Sequence, residues 1–347
     1  MPARGIAAIT KGGKSLNRKK ILLRLHTSEE DKIKIFEMEF TTRVNIEPYG
    51  QKISYSNKLL MIGSCFANEI GEKLKECRFD ISVNPFGTLY NAASICRSLK
   101  LLGSTERFTE SDVIEISRHT TTFARDIIQK CGTGETDAEN GTVQGRYCSF
   151  CHHSSFARES ISEFLENANK RIELEQKFFT EADTIIITLG TSWVFRHKAL
   201  GVIVSNCHKI HPAEFHREFM EWSRTAELLE EIIQSYPKKN FIFTVSPIRH
   251  LKDGAHGNAI SKASLLLAVE SLVERYQNTS YFPAYEIVLD ELRDYRFYAE
   301  DMVHPSPVAV KYIFERFKEC YISSECHTIM SEMAKAARRE AHRPIAK

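Results

Sequence analysis

In Leu59-Leu60-Met61-Ile62-Gly63-Ser64-Cys65-Phe66-Ala67, a short apolar run passes directly into a helical pattern. Four residues continue that pattern at the spacing of one helix face: Phe66, Ile70, Leu74 and Cys77. The run therefore predicts a buried strand followed by a helix, with Ser64 at the turn between them. Such a turn raises a side chain out of the sheet, and the helix N-terminus favours negative charge on a nearby oxygen. This position suits a serine nucleophile.

Two later segments are also apolar and end in small or polar residues. The first, at 184–189, precedes Gly190-Thr191-Ser192, and the second, at 241–245, precedes Ser246-Pro247. Runs of this type suit parallel strands that are covered on both faces. Polar residues at their carboxyl ends indicate where a ligand binds. We therefore expect a three-layer α/β/α sandwich with a mostly parallel central sheet.

Weaker patterns predict the remaining elements. We expect an edge strand at 40–46, a strand at 79–83, helices at 92–102, 162–179 and 218–236, and an exposed loop at 132–145. The loop is an insertion of the kind that often shapes a pocket.

A second motif lies roughly 240 residues beyond Ser64, in Asp301-Met302-Val303-His304-Pro305-Ser306. An Asp and a His three positions apart can both point into one site from a single loop. Ser64, His304 and Asp301 together supply the nucleophile, base and orienting acid of a catalytic triad. A helix is expected after Pro305, since proline suits a helix start.

Composition excludes several classes of protein. The formal net charge is only +2, and much of the positive charge falls within residues 1–34, so we expect no nucleic-acid partner for the body. No apolar run approaches the ~20 residues of a membrane span, and no signal peptide is recognisable. Nine irregularly spaced cysteines indicate reduced thiols in a cytoplasmic protein rather than a disulfide framework.

The chain divides into three parts by pattern. Residues 1–37 are basic and weakly periodic, which predicts a disordered extension. Residues 38–322 hold the α/β domain, and residues 323–347 form a helical or disordered tail. A large domain of this length can bury a substantial core. The oligomeric state is not encoded in any pattern that we recognise.

Several blocks resemble the GSCFA-domain proteins, which are similar to the SGNH/GDSL hydrolases. The resemblance covers roughly residues 40–317 and includes Gly63-Ser64-Cys65-Phe66-Ala67, Asn84-Pro85-Phe86-Gly87, Thr188-Leu189-Gly190-Thr191, Asn206-Cys207-His208-Lys209, Thr244-Val245-Ser246-Pro247 with Arg249-His250, Tyr281-Phe282-Pro283-Ala284-Tyr285-Glu286 and Asp290-Glu291-Leu292-Arg293-Asp294-Tyr295-Arg296-Phe297-Tyr298. It implies an SGNH-like, flavodoxin-like sandwich.

The resemblance also implies roles for single residues. Ser64 would be the nucleophile, His304 the base and Asp301 the orienting acid, and Gly87 would offer an N–H to the oxyanion beside that of Ser64. The usual third donor is an Asn, but Ser192 stands there in Gly190-Thr191-Ser192-Trp193. Ser192 or Thr191 would have to replace it. Loss of such a donor costs about 2.7–4 kcal/mol.

Each of these positions also has a plainer interpretation. Ser64 can simply cap the helix, and Asn84-Pro85-Phe86-Gly87 can simply be a turn. Arg249 and His250 end a strand at the expected active edge, where the guanidinium can bind a carboxylate or phosphate, or instead form a surface salt bridge. Asn258 and Ser261 are further candidates for the pocket lining.

A zinc site is a competing hypothesis for one group of residues. Cys148-x-x-Cys151-His152-His153 and Cys207-His208 supply soft and imidazole ligands, but from loops about 55 residues apart and without a recognised spacing. We expect no metal, and His153 and His208 as pocket residues. An aromatic group can pack internally or stack on a sugar: Tyr281, Phe282, Tyr285, Tyr295, Phe297 and Tyr298.

The expected activity is hydrolysis of an ester by a Ser-His-Asp triad without a cofactor. By analogy with relatives, the substrate is a small-molecule or carbohydrate ester, with an O-acetylated sugar preferred. Two alternatives remain open. One is transfer of the acyl group to another hydroxyl, and the other is a non-catalytic binding protein that keeps the fold, as the missing Asn would permit.

Overall fold

The computed structural model describes residues 41–47, 50–116 and 145–341. The strands in these ranges are β1 Lys58–Gly63, β2 Asp80–Val83, β3 Ile114–Ile116, β4 Arg146–Cys148, β5 Thr184–Leu189, β6 Trp193–His197, β7 Phe215–Phe219, β8 Asn240–Val245 and β9 Thr279–Tyr281. The helices of more than ten residues are α1 Cys65–Glu76, α2 Ala92–Leu102, α3 Ile161–Glu181, α4 Trp222–Ser235, α5 Gly254–Val273, α6 Pro307–Tyr321 and α7 Cys326–Ala341.

Five strands form one parallel sheet in the order β2-β1-β5-β8-β9. Strand β1 lies between β2 and β5, with Leu60 opposite Ser82 of β2 and Ile185 of β5. The chain continues from β1 to one side and later returns to the other. The carboxyl ends of β1 and β5 therefore form a topological switch point, where open α/β sheets bind ligands. The predicted parallel sheet is confirmed.

The sheet has a separate hydrophobic core on each face, because alternate side chains of a strand point to opposite faces. Leu60, Ile62 and Ile187 pack under α2, α3, α4 and α5, whereas Met61 and Ile186 pack under α1, α6 and α7. Both faces of the central strands are thus covered by helices. This arrangement is the three-layer α/β/α sandwich that the apolar runs predicted.

Two predicted elements differ from the structure. Residues 41–47 contain no strand, so the edge-strand prediction is wrong for them. The backbone of Val44 is held instead by side chains, with its N–H on Glu291 and its carbonyl on Arg316, two residues that form a buried ion pair. The helix expected at 218–236 begins only at Trp222, because Glu218 lies in β7, where it pairs with Arg196 of β6.

Other expectations concern the N-terminal extension, the loop at 132–145 and the C-terminal segment. The basic extension and most of the loop at 132–145 lie outside the described residues. In the C-terminal segment, α7 buries Cys326 and Met330 in the core beneath α1 and α6. Within the described residues, no helix has the length and apolar content needed to cross a lipid bilayer.

Candidate active site

A cavity of about 500 Å³ opens at the carboxyl ends of the central strands. It is lined by residues that follow β1, β5 and β8 and by the loop before α6. Of the candidate residues that the sequence singled out, Thr191, Cys207, Arg249, His250 and His304 line this cavity. The sheet thus brings together side chains that lie far apart in the sequence.

Asp301 and His304 form a hydrogen-bonded pair at the cavity. Asp301 Oδ2 lies 2.6 Å from His304 Nδ1, while Oδ1 accepts the backbone N–H groups of Val303 at 2.9 Å and of His304 at 3.0 Å. Hydrogen bonds from His304 and then from Val303 lower the pKa of Asp301 to about 2, so the carboxylate is charged at neutral pH. With Nδ1–H donating to this carboxylate, Nε2 is the proton acceptor of the ring.

The backbone around this pair is itself fixed. Ala299 N–H donates to the carbonyl of His304 at 2.7 Å, and the hydroxyl of Ser306 accepts the N–H of Ala309 to cap α6. Met302 has a φ of +57°, a left-handed conformation that is uncommon for a residue with a side chain. The loop thus presents His304 from a defined position.

Ser64 follows β1 and is 1% exposed. Its hydroxyl does not cap α1 and has no hydrogen-bond partner among the described residues. The N–H of Ser64 donates to the carbonyl of Thr188 at 3.1 Å, which continues the ladder between β1 and β5. A buried hydroxyl without a partner costs about 1–3 kcal/mol. The capping interpretation therefore does not explain this serine.

Cys65, the first residue of α1, lines the cavity next to Ser64. Its Sγ lies 3.3 Å from the hydroxyl of Tyr90, which lines the same cavity. Burial, with a smaller contribution from Cys65, raises the pKa of Tyr90. Sequence reasoning missed Cys65 as a cavity residue, although its place directly after Ser64 was a signal.

Asn84 and Gly87 form a tight turn, which was the plainer of the two interpretations. The N–H of Gly87 donates to the carbonyl of Asn84 at 2.8 Å, so it is not free for an oxyanion. Gly87 has a φ of +79°, and a Cβ there would lie 2.3 Å from Cβ of His153. The side chain of Asn84 accepts the N–H of Gly63 at 2.8 Å and donates to Asn68 at 2.6 Å. The turn thus holds the end of β1.

Thr191 and Ser192 follow β5 but have different surroundings. Thr191 lines the cavity, and its hydroxyl lies 3.1 Å from that of Ser261 in α5. Ser192 is 1% exposed, and its hydroxyl donates to the carbonyl of Ser261 at 3.0 Å. The Ser192 hydroxyl is therefore committed to α5 and does not replace the expected Asn in this conformation.

A comparison with known protein families matches most of the chain. The profile of the GSCFA family matches residues 58–317, from the start of β1 to the middle of α6. The chain belongs to the GSCFA family. No curated protein matches it.

In this GSCFA chain, Arg249 and His250 form the segment after β8. Arg249 is tied to the loop of the Asp-His pair, because its backbone N–H and its Nη1 donate to the carbonyls of Val303 and Met302, both at 3.1 Å. His250 is held by its backbone N–H, which donates to Asn258 at 3.0 Å. Burial, followed by the charge of Lys262, lowers the pKa of His250 to about 4.

Lys262 is a buried residue at the strand ends that was not predicted from the sequence of this GSCFA protein. Its Nζ lies between the strand ends and donates to the carbonyls of Gly190 and Ser246, both at 2.7 Å. Burial lowers its pKa to about 7. The signal was its isolation, since Lys262 is the only charged residue between Asp253 and Glu270. It ties together the segments that follow β5 and β8.

The residues of the zinc hypothesis do not converge in the structure. Within the described ranges, no three His, Cys, Asp or Glu side chains lie where they could hold a metal ion together. His208 uses both ring nitrogens on the protein, with Nε2 2.9 Å from the carbonyl of Ser149 and Nδ1 3.0 Å from the hydroxyl of Ser154. His152 is buried against phenylalanines and lies 2.7 Å from the Ser149 hydroxyl.

The aromatic group divides between packing and the cavity side. Phe282 packs against Phe317 and Tyr321 in the core, and Tyr281 donates to Glu286. Tyr295 and Tyr298 instead flank Arg249, with its guanidinium carbon 5.8 and 5.5 Å from their ring centres. The cavity itself is lined by Tyr90, Trp193 and Phe195, which were not in the predicted group.

Proposed function

We propose that this chain is a serine esterase of the SGNH type, in which Ser64 is the nucleophile, His304 the general base and Asp301 the orienting acid. The supporting observation is the Asp301–His304 pair, whose Oδ2 and Nδ1 lie 2.6 Å apart. This pair lies at the same cavity as Cys65, the first residue of α1. A buried serine at the start of that helix completes the set of groups.

The hydroxyl of Ser64 must turn toward the cavity before it attacks an ester carbonyl. Because it has no hydrogen bond in its buried position, this rotation breaks none. Nε2 of His304 then removes the proton, and Asp301 stabilises the imidazolium that forms. The acyl group passes to Ser64, and the alcohol leaves with the proton from His304. Water then releases the acyl group.

Three of the oxyanion donors that the resemblance implied are already used within the protein, which leaves the Thr191 hydroxyl at the cavity. The N–H groups of Ser64 and Gly87 and the hydroxyl of Ser192 already donate to backbone carbonyls. The first N–H groups of a helix have no intrahelical acceptor and carry its positive dipole end. We assign the oxyanion to the N–H groups of Cys65 and Phe66, the first two residues of α1.

The lining of the cavity supports the substrate class that we propose. Trp193, Tyr90 and Phe195 offer aromatic surface, and Thr191 and Asn206 offer polar atoms. This combination suits an O-acetylated carbohydrate. Transfer of the acyl group to a second sugar hydroxyl instead of water would use the same residues and is the alternative reaction. A cytoplasmic location accords with the eight described cysteines, which are all free thiols.

A binding protein without catalysis is the second candidate, and one observation favours it: three of the four expected oxyanion donors are occupied. A fluorophosphonate probe separates the two functions, because it reacts only with an activated serine. We expect one label per chain, mapped to Ser64 by peptide mass and absent from Ser64→Ala. An unlabelled wild type, tested beside a labelled serine hydrolase, would identify a binding protein. A label on Cys65 would identify a thiol nucleophile instead.

A further inference from the structure

The lining of the cavity includes two cationic side chains, and the carboxylate beside it, Asp301, is bound to His304. Arg249 and Lys252 both line the cavity, and none of the described residues that line it is Asp or Glu. An electropositive cavity with apolar walls concentrates anions, because low-dielectric surroundings strengthen the field of its charges. Such a field attracts a ligand only if the protein does not already neutralise these two cations.

Arg249 has most of its hydrogen-bonding capacity unused. Of its five N–H donors, one is committed, to the carbonyl of Met302 at 3.1 Å, and no carboxylate of the described residues pairs with it. Tyr295 and Tyr298 flank the guanidinium at 5.8 and 5.5 Å and restrict its orientation. A guanidinium held this way presents a fork that fits the two oxygens of a carboxylate or phosphate.

Lys252 is exposed and has no hydrogen-bond or ion-pair partner among the described residues. Other charged residues nearby do form ion pairs. Asp253, the next residue, pairs with Arg217, which stacks on Trp193 at 4.1 Å, and Arg196 pairs with Glu218 at 2.9 Å. Asp253 and Glu218 are thus used by other arginines, and Asp301 is bound to His304 and to the loop backbone. The positive charges of Arg249 and Lys252 remain for a ligand.

The position of Arg249 couples this charge to the reacting centre. Its backbone N–H donates to Val303, and its side chain to Met302, so two hydrogen bonds join it to the loop that carries Asp301 and His304. Arg249, Val303 and His304 line one cavity. An anionic group on Arg249 therefore lies beside the position of the scissile ester.

We propose that the substrate carries a carboxylate or phosphate group, which Arg249 and Lys252 bind while its ester group faces His304. The chemical class is an acylated acidic sugar or sugar phosphate rather than a neutral acetylated sugar. This inference names the substrate class for the proposed esterase and rests on that function for its catalytic readout.

The first experiment compares acetate esters that differ in charge. 4-Acetoxy-3-nitrobenzoate is anionic, and its methyl ester is neutral, while 4-acetoxyphenyl phosphate replaces the carboxylate with a phosphate. The quantity measured is the ratio of kcat/KM for the anionic ester to that for the neutral one. Intrinsic reactivity cancels when this ratio is compared between variants.

We expect Arg249→Gln to lower the ratio about 10- to 100-fold, because a charge-assisted hydrogen-bond pair is lost. Arg249→Lys should recover part of the loss, since it restores the charge without the fork, and Lys252→Gln should have a smaller effect. Arg224→Gln, which removes an exposed arginine of α4 paired with Glu227, is the matched control and should leave the ratio unchanged. A ratio that Arg249→Gln does not change would overturn the proposal.

A second readout does not need hydrolysis. If wild type cleaves none of these esters, the proposed esterase function fails, and ligand binding then tests the charge preference alone. Tryptophan fluorescence is titrated with glucuronate, glucose 6-phosphate and glucose at low ionic strength, because Trp193 lines the cavity. Tighter binding of either anion than of glucose, weakened by Arg249→Gln and by salt, supports the proposal. Equal responses to all three ligands, including none, overturn it.

Discussion

The loop at Asp301–His304 and the buried pair of His152 and His208 place the same side chain in opposite environments. The His304 side chain is 44% exposed and lies beside a carboxylate, whereas His152 and His208 are each 1% exposed. Burial is the main cause that lowers the pKa to about 3 for His152 and to about 4 for His208. A histidine that water reaches beside a charged partner can exchange protons, while one enclosed by phenylalanines stays neutral and serves packing.

The comparison predicts that substitutions of the triad residues remove activity without loss of stability. His304→Ala and Ser64→Ala should each reduce hydrolysis of a short-chain aryl ester about 10³-fold or more, and the double variant should be little worse, because the two residues act as a unit. Steady-state kinetics and thermal unfolding on the same samples test this. His216→Ala, an exposed histidine of β7, is the control. Small, additive losses would contradict a triad.

Asp301→Asn should lower kcat about 10²- to 10⁴-fold while the loop keeps its shape. The amide oxygen can still accept the N–H groups of Val303 and His304, but the amide no longer stabilises an imidazolium and favours the wrong tautomer. Kinetics combined with circular dichroism measure both effects. Retention of most of the wild-type kcat would show that the carboxylate only shapes the loop.

Substitution of the buried histidine should have the reverse effect. His152→Ala should lower the free energy of unfolding by about 3 kcal/mol, because it leaves a cavity between Phe108 and Phe156 and removes the partner of the Ser149 hydroxyl. Activity per folded molecule should persist. Denaturant unfolding gives the first quantity, and active-site titration the second. His152→Phe, which keeps a ring in place, should lose less stability.

The same pair predicts a pH dependence of stability. The folded-state pKa of His152 is about 3, against an unfolded value of ~6.5, so between these pH values the unfolded chain binds more protons. The stability that depends on a neutral His152 is complete above pH 6.5 and is lost as the pH falls. Between pH 7 and pH 5, the loss should be about 2 kcal/mol smaller in His152→Phe than in wild type. Equal losses would show that His152 does not carry this dependence.

The sequence predicted the fold better than it predicted the hydrogen bonds of the site. The central strands were recognisable because 184–189 and 241–245 consist of apolar and β-branched residues, and their polar ends located the cavity edge. The hydrogen bonds that the Ser64 N–H, the Gly87 N–H and the Ser192 hydroxyl donate were not predictable. Each depends on a carbonyl that strand register, turn geometry or a distant helix brings into place.

Two further differences have the same physical origin. The segment at 40–46 alternates like a strand, yet Val44 is held by Glu291 and Arg316, whose side chains lie about 250 residues away in sequence. Lys262 was not singled out from the sequence, yet the carbonyls of Gly190 and Ser246 give its ammonium two acceptors inside the protein. Local periodicity contains no information about such distant polar partners.

The smallest effect is expected where neither histidine region is touched. A chain that begins at Met38 should unfold at the same temperature as the full chain and hydrolyse esters at the same rate, because it retains the segment from Arg43 onward. That segment supplies the contacts of Arg43 with Glu319 and of Val44 with Arg316, close to the buried pair between Arg316 and Glu291. A chain that begins at Gly50 is the matched comparison and should lose stability, since it removes both contacts. Differential scanning calorimetry of the three lengths measures the effect. If the start at Met38 lowered the melting temperature by several degrees, residues 1–37 would have to pack on the domain, and the boundary expected from their composition would be wrong.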